Sequence, residues 1–212
     1  MIKKGIILAG GSGTRLSPLT KSVNKQLLPI HDKPMIFYPL SVMMLANIRN
    51  ILMIVNPGQI ENFKSLLGDG SRYGIEIVYK VQDKPRGLPD AFILGKTFID
   101  KDNVALILGD NFFYGQSLTK KLEKSSTHKS GATIFLKEVS SPENYGVAKI
   151  KKKKIEKIVE KPKKFVSNNA ITGLYFFDKN VSDYAKKLNK SKRGELEITD
   201  LINRSEERRV GK

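Results

Sequence analysis

A glycine-rich segment that carries one arginine follows the first apolar run of the chain. It is Leu8-Ala9-Gly10-Gly11-Ser12-Gly13-Thr14-Arg15-Leu16. Glycines let the backbone adopt positive φ angles and approach a ligand closely, and successive backbone N–H groups in such a loop form a concavity that binds anions. A loop at the carboxyl end of the first strand of an open α/β sheet is also where ligands bind. The segment therefore predicts a phosphate-binding loop, although a plain tight turn would share part of the pattern.

Two better-known phosphate motifs do not fit the sequence. A dinucleotide-binding Gly-x-Gly-x-x-Gly pattern that starts at Gly11 would need a glycine where the chain has Leu16. A P-loop that ends at Gly95-Lys96-Thr97 would need a glycine where the chain has Asp90. We therefore interpret the local Gly-Lys-Thr as a chance match.

Three charged residues are candidates for chemistry near this loop. Arg15 lies within it and Lys25 follows soon after. A guanidinium binds two phosphate oxygens at once, and an ammonium supplies a compact charge. Asp110 follows the apolar run Val104–Leu108, where a buried strand is predicted to meet a loop. Taken alone, each of these side chains would also fit a surface position or a turn cap.

Apolar runs that alternate with helical patterns must position these residues. Strand patterns in the first half cover Gly5–Ala9, Ile51–Val55, Ile75–Val81 and Val104–Leu108. Helical patterns cover Pro34–Ile48, Ile60–Leu67 and Pro89–Phe98. This rhythm predicts a parallel sheet with helices on both faces. The apolar stripe within the first helical pattern is interpreted as helix packing rather than as a ligand site: Met35, Ile36, Leu40, Met43 and Met44.

The pattern changes after Gly131. Four strand-like runs with short links follow: Ala132–Val139, Val147–Ile150, Ile155–Val159 and Ile171–Phe177. The densest basic run, Lys151–Lys154, lies between two of them and is interpreted as an exposed hairpin tip. The predicted fold class is therefore α/β, with a Rossmann-like, mostly parallel mixed sheet flanked by helices and an added antiparallel part.

Composition excludes several classes of function. The 212 residues contain no cysteine and only two histidines, His31 and His128, so a disulfide framework, a zinc-thiolate site and a cysteine nucleophile are ruled out. The apolar runs are too short to span a bilayer, the N-terminal one is too short for a signal peptide, and a cytoplasmic location is expected. The formal net charge of +17 suits anionic ligands. Because aromatic residues do not interleave with the scattered lysines, no nucleic-acid or membrane partner is expected.

A family resemblance rests on several of these segments together. The stretch Gly11–Thr20, followed by Lys25-Gln26-Leu27-Leu28-Pro29-Ile30, resembles the signature of nucleotide-sugar pyrophosphorylases, the sugar-1-phosphate nucleotidyltransferases. Residues Asp32–Leu40 are similar to the thymidylyltransferase branch of that family. The resemblance covers residues 2–203, with further matches at Leu108–Gly115, Glu160-Lys161-Pro162, Thr172–Tyr175 and Gly194–Asp200.

The resemblance implies a Mg²⁺-dependent reaction in which glucose-1-phosphate attacks the α-phosphorus of dTTP and pyrophosphate leaves in line. The attacking phosphate is already ionised near neutral pH, so positioning and charge neutralisation must supply most of the catalysis. The catalytic residues that it implies are Arg15, Lys25, Asp110 and Lys161. Asp110 is implied to be a magnesium ligand, together with a second aspartate that lies beyond Asn203 in the family.

The resemblance also implies two sets of binding residues. The nucleotide set is Gly10, Gly11, Gly13, Thr14, Gln26, Gln82 and Gly87, with the last two at the pyrimidine. The sugar-phosphate set is Asn111, Gly146, Glu160, Ile171, Tyr175 and Arg193. The segment Gly87–Ala91 has Pro89 where the commoner family form has alanine, which bears on base selectivity.

Other substrates and another class of function stay open at this point. A transferase for UTP, CTP or another triphosphate would keep the same chemistry, although Gln82 argues against a guanine specialist. A non-catalytic regulatory subunit on the same fold would be expected to lose the charged residues at the reacting centre, and all four are present. The family also implies a homotetramer and a role in supplying dTDP-glucose for deoxysugar and polysaccharide biosynthesis.

A single domain is expected over residues 1–203. Its nucleotide-binding half would span 1–115, and its sugar-phosphate-binding half, expected to be incomplete, 116–203. Residues 204–212 resemble the in-frame translation of a sequencing adapter and are expected to be a non-native tail that offers only Glu206 and Glu207 as carboxylates. A final helix is expected to begin near Glu197 and, for lack of packing partners, to expose Leu201 and Ile202.

Overall fold

The apolar runs of the sequence form the strands of this computed structural model, which describes residues 1–11, 13–127, 129–152, 154–205 and 208–210. The described strands are β1 (Lys4–Ala9), β2 (Pro29–Ile30), β3 (Lys33–Pro34), β4 (Asn50–Val55), β5 (Glu76–Val81), β6 (Val104–Leu108), β7 (Ala132–Glu138), β8 (Gly146–Lys151), β9 (Lys154–Glu160), β10 (Asn169–Phe177) and β11 (Arg208–Val210). The described α-helices are α1 (Phe37–Leu45), α2 (Ile60–Leu67), α3 (Asp90–Leu94), α4 (Lys96–Ile99), α5 (Leu118–Ser126), α6 (Val181–Lys186) and α7 (Ile198–Arg204).

Four parallel strands form one half of the main sheet, in the order β5-β4-β1-β6. The nearly continuous apolar sequences of β1, β4 and β6 are what strands covered on both faces require, whereas the edge strand β5 alternates buried and exposed residues. From β1 the chain passes to β4 and β5 on one side, and it then returns to β6 on the other side. Because the strand order reverses at β1, the carboxyl ends of β1 and β6 flank a crevice of the kind that binds ligands in open α/β sheets.

The second half of the sheet is antiparallel, as the sequence predicts. Strand β10 pairs antiparallel with β6 on one edge and with β7 on the other, and it also pairs with β8. Strands β8 and β9 form a hairpin that extends from this half. The expected α/β class, with a parallel part and an added antiparallel part, is therefore confirmed.

Helices cover both faces of the sheet. Apolar side chains of α1, α2 and α5 pack in one core cluster, and those of α3, α4, α6 and α7 pack in the other. Neighbouring residues of β1 enter opposite clusters, since Ile7 belongs to the first and Ile6 to the second. Ile36, Leu40 and Met43 are buried in the first cluster, which confirms that the methionine-containing stripe is packing.

One predicted helix was too long, and another is divided in two. The pattern over Pro34–Ile48 yields α1 alone, because Lys33–Pro34 instead pair with β2 in a short hairpin. The pattern over Pro89–Phe98 splits into α3 and α4 at Gly95. A Cβ at Gly95 would lie 2.9 Å from Ala91 O and 3.1 Å from Ile6 Cδ1, so the chain passes very close to the sheet there.

The end of the chain packs more closely than the sequence suggests. The expectation that Leu201 and Ile202 are exposed is wrong, because both are fully buried in the core cluster that α6 and α7 share with β9. Arg208–Val210 pair in parallel with Ala132–Ile134 of β7. The non-native origin of residues 204–212 stays a prediction, and Glu206 and Glu207 lie outside the described residues.

The lysine run sits at the turn of the β8–β9 hairpin. Lys151 pairs with Lys154, and both are exposed, as is Lys152. This confirms an exposed hairpin tip, while Lys153 lies outside the described residues, as does His128. Among the described residues, the chain has no helix with the length and apolar character needed to cross a membrane.

Candidate active site

The glycine-rich segment leaves β1 at the crevice and curves tightly. Gly11 has a φ of 104° and Gly13 a φ of 59°, angles that favour glycine. A Cβ at Gly13 would lie 2.8 Å from Thr20 Cγ2, so close packing also requires a glycine there. Thr14–Leu16 form a single 3-10 turn in which Thr14 and Arg15 are exposed. The loop thus presents a cationic side chain beside a closely approachable backbone.

Asn56, which follows β4, anchors the start of this loop. Its Oδ1 accepts a hydrogen bond from Gly11 N at 3.1 Å, and its Nδ2 donates to Gly11 O at 2.9 Å. No role was predicted for Asn56 from the sequence. Strands β1 and β4 are parallel neighbours, so the residues that follow them meet at one edge of the sheet. The position of Asn56 directly after β4 is therefore the feature of the sequence that could have indicated its contact with the loop after β1.

Lys25 and Gln26 belong to another 3-10 turn, Lys25–Leu27, which contacts the same loop. Asn24 Oδ1 caps this turn by accepting from Gln26 N at 2.9 Å. Gln26 is 2% exposed, and its Nε2 donates to Gly10 O at 3.1 Å. Its buried Oε1 has no hydrogen-bond partner among the described residues. A buried acceptor of this kind is available to a donor group of a ligand.

Asp110 lies beyond the end of β6, directly across the crevice. Lys25 Nζ is 2.8 Å from Asp110 Oδ2, and both side chains are about one-third exposed, at 29% and 33%. Asn111 Nδ2 donates to Asp110 Oδ1 at 3.1 Å, and Asn111 Oδ1 accepts from Gly173 N at 3.0 Å. Asn111 therefore ties the Asp110 carboxylate to β10 in the antiparallel half.

Two adjoining depressions meet at these residues. We call the smaller one, of about 240 Å³, the phosphate pocket, and it is lined by Gly10, Gly11, Gly13, Thr14, Arg15, Leu16, Lys25, Gln26 and Asp110. The larger one, the cleft, has a volume of about 320 Å³ and extends from Gln82 and Gly87 to Glu160 and Arg193. Gly10, Gly11, Gln26 and Asp110 line both. The charged residues predicted for the triphosphate thus lie in one pocket that opens into the cleft.

Gln82 and Gly87, the two residues predicted at the pyrimidine, both line the cleft. Gln82 directly follows β5, is 7% exposed, and its Nε2 donates to Asp90 Oδ2 at 2.8 Å. Gly87 has a φ of 98°, and a Cβ there would lie 2.0 Å from Leu196 O. Leu196 N also donates to Arg86 O at 2.8 Å. The Gly87 segment is therefore pressed against the chain that leads into α7.

Carboxylates and an arginine form another part of the cleft lining. Arg193 Nη2 lies 3.2 Å from Glu195 Oε2 and 3.2 Å from Glu197 Oε2. Burial, and then the nearby Glu197 carboxylate, raise the pKa of Glu160 above its ordinary value. A Cβ at Gly146 would lie 3.0 Å from Glu160 Oε2, so the glycine leaves room for that carboxylate. Glu195 and Glu197 line the cleft although the sequence analysis gave them no role.

Five predicted sugar-side or catalytic residues line neither the cleft nor the phosphate pocket: Asn111 and Gly146, whose contacts are given above, and Lys161, Ile171 and Tyr175. Lys161 is exposed at the end of β9, with a φ of 39°, and its N donates to Tyr145 O at 3.0 Å. Ile171 and Tyr175 are buried in the core cluster of β10. Burial, followed by the Glu160 carboxylate, raises the pKa of the Tyr175 hydroxyl. Their contacts with a ligand stay predictions.

The residues present suit a cation bound together with a nucleotide. The described residues contain no group of three or more acidic or histidine side chains placed to hold a metal ion by themselves. Asp110 borders both the phosphate pocket and the cleft. Magnesium is commonly held by one or two carboxylates plus substrate phosphates and water, and Asp110 offers that kind of partial ligand set.

The fold and site can be compared with known proteins. A curated glucose-1-phosphate thymidylyltransferase of Neisseria meningitidis serogroup A is 56% identical over 199 residues, which are 93% of this chain and 69% of that protein. The enzyme of the same name from Mycolicibacterium smegmatis is 50% identical over 199 residues, again 93% of this chain and 69% of the relative.

Solved structures share the same architecture. A Bacillus anthracis protein described as a glucose-1-phosphate thymidylyltransferase, in complex with sucrose, superposes with a TM-score of 0.88 at 40% identity and covers 98% of this chain and 85% of that one. A UDP-glucose pyrophosphorylase in complex with UDP-glucose superposes at 0.83 and 24% identity, over 100% of this chain and 91% of that one, which supports the fold alone. Residues 4–210 match the Nucleotidyl transferase family, and the chain belongs to that family.

Proposed function

We propose that this protein transfers a thymidylyl group from dTTP to glucose-1-phosphate, giving dTDP-glucose and pyrophosphate. Relatives that are 48–56% identical to the chain carry the name of that activity. The observation that supports it best is the convergence of Arg15, Lys25 and Asp110 on one pocket that opens into a cleft. In such an arrangement, the cationic side chains and a bound metal ion can neutralise the phosphate charges of two substrates that bind next to each other.

The chain's own residues act by binding and positioning. The backbone of Gly10, Gly11 and Gly13 approaches the triphosphate, with Arg15 and Lys25 supplying positive charge beside it. The attacking oxygen of a sugar phosphate is already ionised, so no strong general base is needed, and alignment of the two reactants supplies much of the rate. Arg15 acts mainly in the transition state, where charge builds up between the α- and β-phosphates.

Magnesium is the cofactor in this proposal, with Asp110 as its protein ligand. When bound, Mg²⁺ neutralises phosphate charge and helps to orient the triphosphate. Because Lys25 Nζ is 2.8 Å from Asp110 Oδ2, the same carboxylate fixes the lysine when no cation takes its place.

Two parts of the cleft lining recognise the base and the sugar in this proposal. In this proposal Gln82 and Gly87 contact the pyrimidine, because an amide side chain pairs with donors and acceptors on a base edge. Glu160 accepts hydrogen bonds from sugar hydroxyls, while Lys161 and Arg193 neutralise the sugar phosphate. A UTP- or CTP-dependent enzyme is the nearest alternative. A homotetramer, a cytoplasmic location and a place in deoxysugar and polysaccharide biosynthesis remain predictions.

Label transfer tests the reaction directly. The protein is incubated with Mg²⁺, glucose-1-phosphate and dTTP labelled at either the α- or the γ-phosphorus. Attack at the α-phosphorus places the α label in dTDP-glucose and the γ label in pyrophosphate. The γ label in a sugar product, or no sugar nucleotide at all, would contradict the proposal.

A pair of variants shows whether the product comes from this site. Asp110→Asn is expected to lower the rate by roughly 10²-fold, as loss of one preorganised electrostatic group does. Asp102→Asn makes the same change at an exposed carboxylate that pairs with Lys4 before β6 begins, at the end of that strand opposite to Asp110, and should leave the rate unchanged.

A further inference from the structure

A buried carboxylate holds the side chain that meets the base. Asp90, the first residue of α3, is 3% exposed, and its Oδ2 accepts a hydrogen bond of 2.8 Å from Gln82 Nε2. Arg86 Nη1 lies 3.7 Å from the same oxygen and balances the buried charge from the surface. The contact joins the end of β5 to the start of α3, on either side of the Gly87 turn.

The chemistry of this contact fixes how the Gln82 amide is turned. An amide carries a carbonyl acceptor and an NH₂ donor, whereas an ionised carboxylate only accepts hydrogen bonds. Asp90 can therefore pair with the Nε2 of Gln82 but not with its Oε1. With Nε2 held on Asp90, Oε1 is directed to the other side, where it lies 3.6 Å from the position that a Cβ of Gly10 would occupy. Gln82 and Gly10 both line the cleft.

We propose that Asp90 is a specificity-determining residue, which orients the Gln82 amide so that the cleft presents a hydrogen-bond acceptor to the base. Thymine and uracil carry an N–H at ring position 3, which that acceptor can receive. Cytosine has a bare nitrogen acceptor at the same position, so it would face a second acceptor. Asp90 thus selects pyrimidines that carry the ring N–H, and it does so through Gln82 without touching the nucleotide.

This inference rests on the proposed function for the identity of the ligand, and nucleotide binding tests it without turnover. Dissociation constants for dTTP, dUTP and dCTP are measured with Mg²⁺ on the wild-type chain and on Asp90→Asn. Asparagine has nearly the same shape but can donate to Gln82 Oε1, so it permits the reversed amide. We expect the preference for dTTP over dCTP to fall about tenfold, the effect of one lost hydrogen-bond partner. The preference for dTTP over dUTP should not change, because both bases carry the ring N–H.

Two further variants separate positioning from general damage. Asp183→Asn makes the same substitution at an exposed ion pair with Lys96, and it should leave all three affinities unchanged. In a Gln82→Ala background, Asp90→Asn should have no further effect on the dTTP-to-dCTP ratio, since Asp90 acts only through Gln82. An unchanged ratio in Asp90→Asn, or an equal loss of affinity for all three nucleotides, would overturn the inference.

A measurement on the wild-type protein covers the case in which Asp90→Asn does not fold. The side-chain amide protons of Gln82, identified by their loss in Gln82→Ala, should exchange slowly with solvent before and after dTTP binds. Rapid exchange in both states would overturn the inference. If the ratio responds as expected but no dTDP-glucose forms in the label-transfer assay, the base selection stands and the proposed reaction is wrong.

Discussion

Lys25 Nζ lies 2.8 Å from Asp110 Oδ2, so the ammonium of the turn after the phosphate loop pairs with the carboxylate at the end of β6. The two side chains come from positions 85 residues apart in the chain. The reversal of strand order at β1 places them at one edge of the sheet. In the proposed reaction, the triphosphate binds beside Lys25 and the cation beside Asp110, so this ion pair lies where both would bind.

Removal of the lysine charge should impair turnover while freeing the carboxylate. We expect Lys25→Met to lower kcat by roughly 10²-fold, because a preorganised cation in the phosphate pocket is lost. In the nucleotide-free protein, the same change should tighten Mg²⁺ binding measured by calorimetry, since no ammonium competes for Asp110. Lys64→Met, at an exposed pair with Glu61, is the matched control. Normal turnover in Lys25→Met would place the lysine outside the reaction.

Arg15 should contribute mainly to the transition state. Its side chain is exposed and borders the phosphate pocket. We expect Arg15→Ala to reduce kcat by roughly 10²–10³-fold, with a much smaller change in KM for glucose-1-phosphate. Steady-state kinetics at saturating dTTP checks this, and Arg72→Ala, at an exposed turn, serves as control. A change confined to KM would instead indicate a ground-state role.

Glu160 should make stability depend on pH. Burial raises the pKa of this carboxyl in the folded protein above its ordinary value of 4.5. Its contribution to stability is therefore complete at pH values below the unfolded pKa and is lost as pH rises through the folded pKa. We expect Glu160→Gln to gain free energy of unfolding relative to wild type as pH rises from about 4 to 7.

Urea unfolding at a series of pH values measures the Glu160 effect. Glu61→Gln, at a side chain that is 84% exposed, should show no such trend. A Glu160→Gln difference that stays constant over the whole range would mean that the carboxyl is not held above its ordinary pKa.

Gly87 should be intolerant of any side chain. It combines a φ of 98° with a Cβ position 2.0 Å from Leu196 O, which is backbone and cannot rotate away. Gly74 also has a positive φ, of 68°, but a Cβ there would meet nothing within 4 Å. We expect Gly87→Ala to destabilise the protein by about 1–3 kcal/mol more than Gly74→Ala, the cost of overpacking. Equal unfolding free energies for the two variants would show that the two segments separate freely.

Much of the parallel half can be predicted from the sequence because its strands are short apolar runs. The run Val104–Leu108 coincides with β6, and Ile60–Leu67 with α2. Helix α5 was missed, since Leu118–Ser126 is mostly lysine, serine and threonine and buries only Leu122 among its large apolar side chains. The spacing of apolar residues does not predict a helix that packs through only a few of them.

The site residues also divide into those that the sequence predicts and those that it does not. Motifs identify the loop, Lys25 and Asp110, whose roles depend on residue type and local spacing. Asn56 and Asp90 have no motif of their own, because each acts through a partner that the topology brings near: Gly11 for the first and Gln82 for the second. The orientation of an amide and the packing of Leu196 on Gly87 depend on long-range contacts that no local pattern encodes.

The proposed thymidylyl transfer is tested most directly by kcat/KM for pyrophosphate release with glucose-1-phosphate and each of dTTP, UTP, CTP, ATP and GTP. We expect dTTP to give the highest value, because Gln82 and Gly87, the two residues predicted at the pyrimidine, line a cleft that opens onto the phosphate pocket. A preference of roughly tenfold or more for ATP or GTP, equivalent to about 1.4 kcal/mol, would contradict the assignment of that part of the cleft to a pyrimidine.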